Sequence, residues 1–135
     1  MMAETNGEKK SVLFVDDDKF LADMYGLKFT NGGFTVQACL SVADALEALR
    51  SGFQADAIVF DLVMPERDGF SFLQALRDEK LAPQAVRIAL TNQSDDSEKK
   101  KAEELGVDRY VVKASMIPSE VVALVAQEIG ARKKK

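Results

Sequence analysis

The chain contains no histidine and no tryptophan, and only one cysteine, among its 135 residues. Without histidine it cannot carry a Ser-His-Asp or Cys-His catalytic set, and it cannot itself hold a phosphohistidine. The commonest protein ligand for zinc and copper is also missing, so any metal site must be built from oxygen, which favours magnesium, calcium or manganese. The lone Cys39 excludes an internal disulfide and is typical of a reducing compartment.

Long apolar runs and a strong positive charge are lacking too. No stretch approaches the length of a membrane span, and residues 1–10 are polar rather than like the apolar centre of a signal peptide. With 18 basic and 22 acidic residues the net charge is −4, which does not predict a generally basic surface for nucleic acid. We interpret the basic runs at 98–101 and 132–135 as a solvated face and tail. A cytoplasmic protein without direct nucleic-acid or membrane binding is expected.

The apolar residues, 47% of the chain, gather in short runs separated by longer amphipathic stretches. The runs are residues 12–15, 34–38, 57–60, 86–90 and 107–112. Runs of this length predict strands, several of them covered on both faces. The stretches between them have the length of crossover helices, so the pattern predicts five β-then-α units and a parallel sheet with helices on both faces.

Capping signals bound five predicted helices. They are expected at about residues 19–30, 41–52, 70–79, 95–105 and 118–129. Asp18 is interpreted as an N-cap, and Ser41 with Asp44 resembles a capping box. The first helix is expected to place Leu21, Met24, Tyr25 and Lys28 on one face. We expect one domain over 10–130, a disordered N-terminal tail over 1–9 and a basic tail over 131–135.

The last predicted helix carries more apolar residues than one buried face requires: Val121, Val122, Leu124, Val125 and Ile129. Two interpretations stay open. Part of this surface meets a partner or a second copy, or the helix is sunk in a groove of its own domain.

Polar side chains follow the predicted strands at the points where the strands end. They are Asp16, Asp17 and Asp18 after the first, Asp61 after the third, Thr91 after the fourth and Lys113 after the fifth. The carboxyl ends of parallel strands share one edge of a sheet, and sites in such sheets lie there. Two carboxylates about 4 Å apart repel by roughly 4 kcal/mol at an effective dielectric of ~20, so this cluster favours a bound cation.

At these positions the chain resembles the receiver domains of two-component response regulators, over about residues 10 to 130. The matching segments are VLFVDDD at 12–18, DLVMPERDG at 61–69, LT at 90–91 and YVVK at 110–113. The resemblance implies a flavodoxin-like, doubly wound (βα)5 sandwich whose five-stranded parallel sheet has the order 2-1-3-4-5. It also implies a phosphorelay switch that takes a phosphoryl group from a sensor histidine kinase or a histidine phosphotransfer protein, and catalyses only its own phosphorylation and dephosphorylation.

The resemblance also assigns roles to residues. Asp61 would be the phosphoacceptor, and Asp16, Asp17, Asp61 and the backbone carbonyl of Val63 would hold Mg²⁺. Lys113 and Thr91 would stabilise the phosphoryl group, and Thr91 with Tyr110 would form the switch. The face of the fourth helix, fifth strand and fifth helix would then meet an effector or a second copy. Without the resemblance, Tyr110 would be interpreted as a half-buried aromatic of an edge strand.

The sequence departs from the family pattern at the rim of the predicted pocket. Asn92 stands where the family usually has a very small residue, and Ala114 stands where it has a proline preceded by a cis bond. Because a cis bond costs an ordinary residue about 2.5–4 kcal/mol, we expect a trans Lys113–Ala114 bond, or strain, and a somewhat displaced Lys113. Val63 cannot orient a water, which suggests a long-lived phosphorylated form, although the amide of Gln93 could supply that orientation.

Two other functions are compatible with parts of the pattern. A pseudo-receiver would keep the fold and act as a binding module without phosphorylation, as Asn92 and Ala114 allow. A phosphatase of the haloacid dehalogenase type would use Asp16 and Asp18. That second reading leaves Asp61 and the segment after it unexplained.

Overall fold

The computed structural model describes residues 9–64, 66–92 and 94–133; residues 1–8 of the tail predicted over 1–9 lie outside this part of the chain. The strands are β1 (Ser11–Val15), β2 (Thr35–Cys39), β3 (Ala57–Asp61), β4 (Val86–Thr91) and β5 (Arg109–Val112). The helices are α1 (Lys19–Asn31), α2 (Val42–Arg50), α3 (Gly69–Glu79), α4 (Asp96–Glu104) and α5 (Pro118–Lys133), with a 3₁₀ turn at Lys113–Ser115. The order of elements and their approximate bounds agree with the pattern of apolar runs.

All five strands are parallel and lie in the order β2-β1-β3-β4-β5. The chain leaves β1 toward one edge of the sheet and returns to the other side of it with β3, so the strand order reverses between β1 and β3. The predicted doubly wound, flavodoxin-like fold is confirmed. The reversal opens a crevice above the carboxyl ends of these two strands.

The sheet separates two apolar cores. One core packs α1 and α5 against the sheet and contains the aromatic group Phe14, Tyr25, Phe29 and Phe34. The other packs α2, α3 and the single buried residue of α4 against the opposite face. Both faces of the central strands are therefore covered: β3 is buried along its whole length. This explains why the central strands read as continuous apolar runs.

The N-terminal capping residues begin the helices where the sequence predicts. Asp18 Oδ1 accepts a hydrogen bond of 3.2 Å from the Leu21 amide, and Ser41 Oγ accepts one of 3.1 Å from the Asp44 amide. Asp95 Oδ1 caps α4 by accepting from the amides at positions 97 and 98. Each cap satisfies amides that have no partner inside the helix.

The expectation about the face of α1 needs correction. The inner face of α1 is formed by Ala22, Tyr25 and Phe29, whereas Lys28 is exposed. Leu21 and Met24 are only partly buried against the same core, so the buried face is rotated from the predicted one. Of that predicted stripe only Tyr25 is fully buried.

The apolar surplus of α5 is buried within the domain. Val121, Leu124, Val125 and Ile129 are all less than 9% exposed, and Val122 is partly buried against the same core. The groove interpretation therefore accounts for these residues. The helix also continues to residue 133, four residues past its predicted end at 129, and Arg132 pairs with Asp108 at 2.9 Å. Within the described ranges, no helix has the length and apolar character needed to cross a bilayer.

Gly69 is required by a close approach of two backbone segments. Its amide donates a 2.9 Å hydrogen bond to the Leu62 carbonyl. A β-carbon at this position would lie 2.8 Å from the Asp61 carbonyl oxygen and 2.9 Å from Leu62 Cα. Asp68 caps α3 directly before it, through a 2.9 Å bond from the Ser71 amide to Asp68 Oδ1. The Asp-Gly pair thus fixes the start of α3 against the end of β3.

We expect Gly69→Ala to destabilise the fold by about 1–3 kcal/mol, because the added methyl group meets backbone atoms that cannot move aside. The matched control is Gly130→Ala on α5, where an added β-carbon meets nothing within 4 Å. There the change should be neutral or stabilising by about 0.5–1 kcal/mol. Urea unfolding measures both. Equal stability of the two variants would contradict the close-approach argument.

Candidate functional site

The two neighbouring strands at the reversal each end in a carboxylate. Asp16 directly follows β1, Asp61 is the last residue of β3, and the two strands are paired with Val15 opposite Phe60. Asp17 adds a third side chain, and one carboxylate oxygen from each of the three aspartates lies within 4.8 Å of the others. Asp16 and Asp61 are buried, at 1% and 5% exposure, whereas Asp17 is exposed. The predicted acidic cluster therefore forms.

Each buried carboxylate is oriented by a backbone amide two residues further on. Asp16 Oδ1 accepts a 2.9 Å hydrogen bond from the Asp18 amide, and Asp61 Oδ1 accepts a 3.1 Å bond from the Val63 amide. These short turns hold one oxygen of each group and leave the Oδ2 atoms facing the pocket. The loop backbone thus fixes one oxygen of each side chain.

Lys113 brings the positive charge. It follows β5 directly, and its Nζ lies 2.9 Å from Asp16 Oδ2 and 3.4 Å from Asp61 Oδ2. Among the described residues no peptide bond is cis, so the Lys113–Ala114 bond is trans, as predicted. The 3₁₀ turn that begins at Lys113 still delivers the ammonium group to both carboxylates.

Burial dominates the electrostatics of the pocket. It raises the pKa of Asp61 above the ordinary value of 3.8, although the Val63 amide and Lys113 both oppose the rise. Burial alone would lower the pKa of Lys113, but the hydrogen bond and charge of Asp16, with those of Asp61, outweigh it and raise that pKa. The ammonium group therefore stays charged, and it partly compensates two buried carboxylates.

The remaining predicted residues lie around this centre. Thr91 is buried at 2% exposure at the end of β4, and Val63 is 64% exposed beside Asp61. Asn92 is exposed, while Gln93 lies outside the described residues. Tyr110 is partly buried and points its hydroxyl toward α4, 3.4 Å from Glu98 Oε1.

Two contacts of the site carry no recognisable signal in the sequence. Tyr25 of α1 is 3% exposed and stacks on Phe14 of β1, with 4.9 Å between the ring centroids; burial raises its pKa, and the charges of Lys113 and Asp16 act on that pKa in opposite directions. Lys113 was expected to meet a phosphoryl group, and its nearest partner here is Asp16 rather than Asp61. Both depend on distances across the fold, not along the chain.

Comparison with known proteins agrees with this geometry. Residues 12–126 match the family model of the response regulator receiver domain, so the chain belongs to this family. It is 32% identical over 120 residues to the regulatory protein VanRc of Enterococcus gallinarum, covering 89% of this chain and 50% of that protein. It is 31% identical over 114 residues to the transcriptional regulatory protein GltR of Pseudomonas aeruginosa, covering 84% and 46%. The chain thus spans about half the length of these curated relatives.

Solved structures give the same fold. The receiver domain of Francisella response regulator 1452 superimposes with a TM-score of 0.80 at 27% identity, over 91% of this chain and 98% of that one. A CheY-like receiver domain protein from Methanospirillum hungatei JF-1 gives a TM-score of 0.85 at 20% identity, over 94% and 98%. The second likeness concerns the fold alone.

The donor set fits a hard divalent cation. Three carboxylates within reach of one another offer the oxygen ligands that Mg²⁺ prefers, and the exposed Asp17 gives an ion and its waters access from solvent. The repulsion among the three carboxylates would be relieved by such an ion. An acidic pocket that binds Mg²⁺ is a property of this family, and the aspartate cluster is consistent with it.

Because the pKa of Asp61 is raised, its ionisation in the folded protein opposes folding as the pH rises through that pKa. We expect Asp61→Asn to stabilise the metal-free protein at pH 7. This gain in stability should disappear below pH 3.8, the ordinary pKa of the group, where the aspartic acid of the wild type is as neutral as the asparagine of the variant. Urea unfolding with a chelator at several pH values measures this.

The exposed Asp78→Asn on α3 controls for the loss of one negative charge. It should leave the stability within about 0.5 kcal/mol of the wild type. A destabilised Asp61→Asn variant at neutral pH would show that the ion pair with Lys113 outweighs the cost of burial.

Proposed function

We propose that this domain accepts a phosphoryl group from a phosphohistidine donor onto Asp61, with Mg²⁺ in the aspartate pocket, and works as a signalling switch. One observation carries the proposal: the Oδ2 atom of Asp61 faces the pocket with Lys113 Nζ 3.4 Å away, beside two further carboxylates suited to a cation. Membership of the receiver-domain family supports the same chemistry.

The residues of the chain have separate tasks in this transfer. Asp61 supplies the attacking oxygen: its new P–O bond forms in line as the P–N bond to the donor histidine breaks, and the imidazole keeps the electron pair. Lys113 pairs with the charge that the phosphoryl oxygens bring into the pocket. When bound, Mg²⁺ would supply further neutralisation of that charge. Asp16, Asp17, Asp61 and the carbonyl of Val63 are the residues proposed to hold it.

The geometry does not favour the phosphatase reading. That mechanism would use Asp16 as nucleophile and Asp18 as a second acid, and it leaves Asp61, which shares the pocket with Asp16 and Lys113, without a role. Asp18, the second acid of that motif, is exposed and caps α1. The pseudo-receiver is distinguished from a phosphoacceptor only by experiment.

The direct test is intact-mass measurement after incubation with acetyl phosphate and Mg²⁺. Wild-type protein should gain the mass of one phosphoryl group, and Asp61→Asn should gain none. Asp17→Asn should be labelled more slowly, by on the order of tenfold or more, because a proposed metal ligand is lost.

The exposed Asp44→Asn, on α2, is the matched control and should be labelled like the wild type. Unlabelled wild type would identify a pseudo-receiver. Labelling of Asp61→Asn would place the acceptor at another residue.

We further propose that phosphorylation is communicated through Thr91 and Tyr110 to the face formed by α4, β5 and α5. A groove of about 450 Å³ lies there, lined among others by Lys99, Glu103 and Met116. An effector or a second copy of the chain would bind this face, and a sensor kinase or histidine phosphotransfer protein would donate the phosphoryl group. Because the apolar residues of α5 are mostly buried, the contact would depend on this mixed polar groove.

The side chain of Val63, 64% exposed at the pocket mouth, has no polar atom with which to orient an attacking water. We therefore expect a long-lived phosphorylated form, and Val63→Asn should shorten its half-life several-fold. The loss of the added mass over time measures this. Val63→Ala is the control, because it opens the mouth without adding an amide; equal shortening in both variants would point to access rather than orientation.

A further inference from the structure

Helix α4 has the least apolar packing of any helix on its side of the sheet. Of Asp96–Glu104 only Ala102 is buried, and the other residues are charged or polar. Most of the stability of a helix in a protein comes from packing of an apolar face. The position of α4 therefore depends on the side chains that attach it to neighbouring elements.

Side chains attach α4 to two neighbouring elements. The Tyr110 hydroxyl lies 3.4 Å from Glu98 Oε1 and joins α4 to β5. Arg77 Nη2 donates a 3.1 Å hydrogen bond to the Glu104 carbonyl and joins the end of α4 to the end of α3. In a third contact, Lys101 Nζ lies 4.4 Å from the centroid of the Phe70 ring. The third joins the middle of α4 to the first turn of α3, which is the turn closest to the pocket.

Phe70 is firmly connected to the acceptor. It follows Gly69, whose amide bonds the Leu62 carbonyl and whose α-carbon lies too close to the Asp61 carbonyl to accept a side chain. A displacement of the backbone after Asp61 must therefore move Phe70 as well. Since the Phe70 ring is where Lys101 lies, the displacement reaches α4 without passing through Thr91 or Tyr110.

We infer that Lys101 is a positioning residue: its cation–π contact with Phe70 holds α4 in the unphosphorylated arrangement and couples that helix to the loop that follows Asp61. This inference rests on the proposed phosphorylation of Asp61 only for its regulatory consequence. The contact itself belongs to the resting protein. A phosphoryl group adds about −1.5 to −2 charges beside this loop, which is the perturbation to be transmitted.

The contact between Lys101 and Phe70 is weak enough for α4 to leave its resting position. A cation–π pair at a partly exposed site changes an equilibrium about two- to fivefold, which is enough to bias a helix without locking it. Removal of the contact should therefore shift α4 toward the arrangement that lacks it and make Asp61 easier to phosphorylate.

The experiment compares three single variants at neighbouring positions of α4. Lys101→Met removes the charge and keeps the length of the side chain, and Lys101→Arg keeps a cation that can lie over the ring. Lys100→Met removes the charge of the neighbouring exposed lysine, which does not lie over a ring of the described residues. Hydrogen exchange of the α4 amides is measured without phosphodonor. Labelling of Asp61 by acetyl phosphate and Mg²⁺ is then followed by mass.

We expect exchange in α4 to rise about two- to fivefold in Lys101→Met, with a parallel rise in the labelling rate, and Lys101→Arg and Lys100→Met to match the wild type. Unchanged exchange in Lys101→Met, or an equal rise in Lys100→Met, would overturn the inference. Faster exchange with an unchanged labelling rate would overturn the coupling to the acceptor. If the wild type is not labelled at all, the proposed function fails, while the exchange data still decide whether Lys101 holds α4.

Discussion

Two buried carboxylates and one ammonium group share the crevice where the strand order reverses, and the site depends on their balance. Asp16 and Asp61 are brought together because β1 and β3 are neighbours, and their repulsion is compensated by Lys113 at 2.9 and 3.4 Å. Burial raises the pKa of Asp61, so the folded protein holds this carboxylate at a cost. A pocket built in this way gains from any added cation, and it offers an oxygen with an adjacent positive charge to an incoming phosphoryl group.

The loop after Asp61 orients that carboxylate and also holds α3 in place. The Val63 amide binds one oxygen of Asp61, and the last residues of the loop cap and clamp α3 through Asp68 and Gly69. The spacing within this segment is explained by these contacts: the chain has to return to the end of β3 at the point where Gly69 passes within van der Waals distance of Asp61. The same clamp places Phe70 close to the end of β3, next to a helix with little apolar packing of its own.

Tyr110 is partly buried and directs its hydroxyl to the polar helix α4, so β5 and α4 are joined in a face that lies apart from the aspartate pocket. The apolar residues of α5 pack into the domain, so the surface left for partners is mixed in charge and polarity. Specificity on such a surface would come from the arrangement of charges more than from buried area.

The sequence alone determined the fold class, the order of the elements and the helix caps at Asp18 and Ser41. It also determined that Asp16, Asp17, Asp61 and Lys113 meet at one edge of the sheet. Those features depend on local periodicity, on capping chemistry and on the rule that polar residues at the ends of parallel strands converge. The tertiary structure decided which face of α1 is buried, that α5 hides its apolar surplus, that Lys113 lies closer to Asp16 than to Asp61, and that Lys101 lies over Phe70. Each of these depends on distances between segments far apart in the chain, which packing sets and which no local pattern contains.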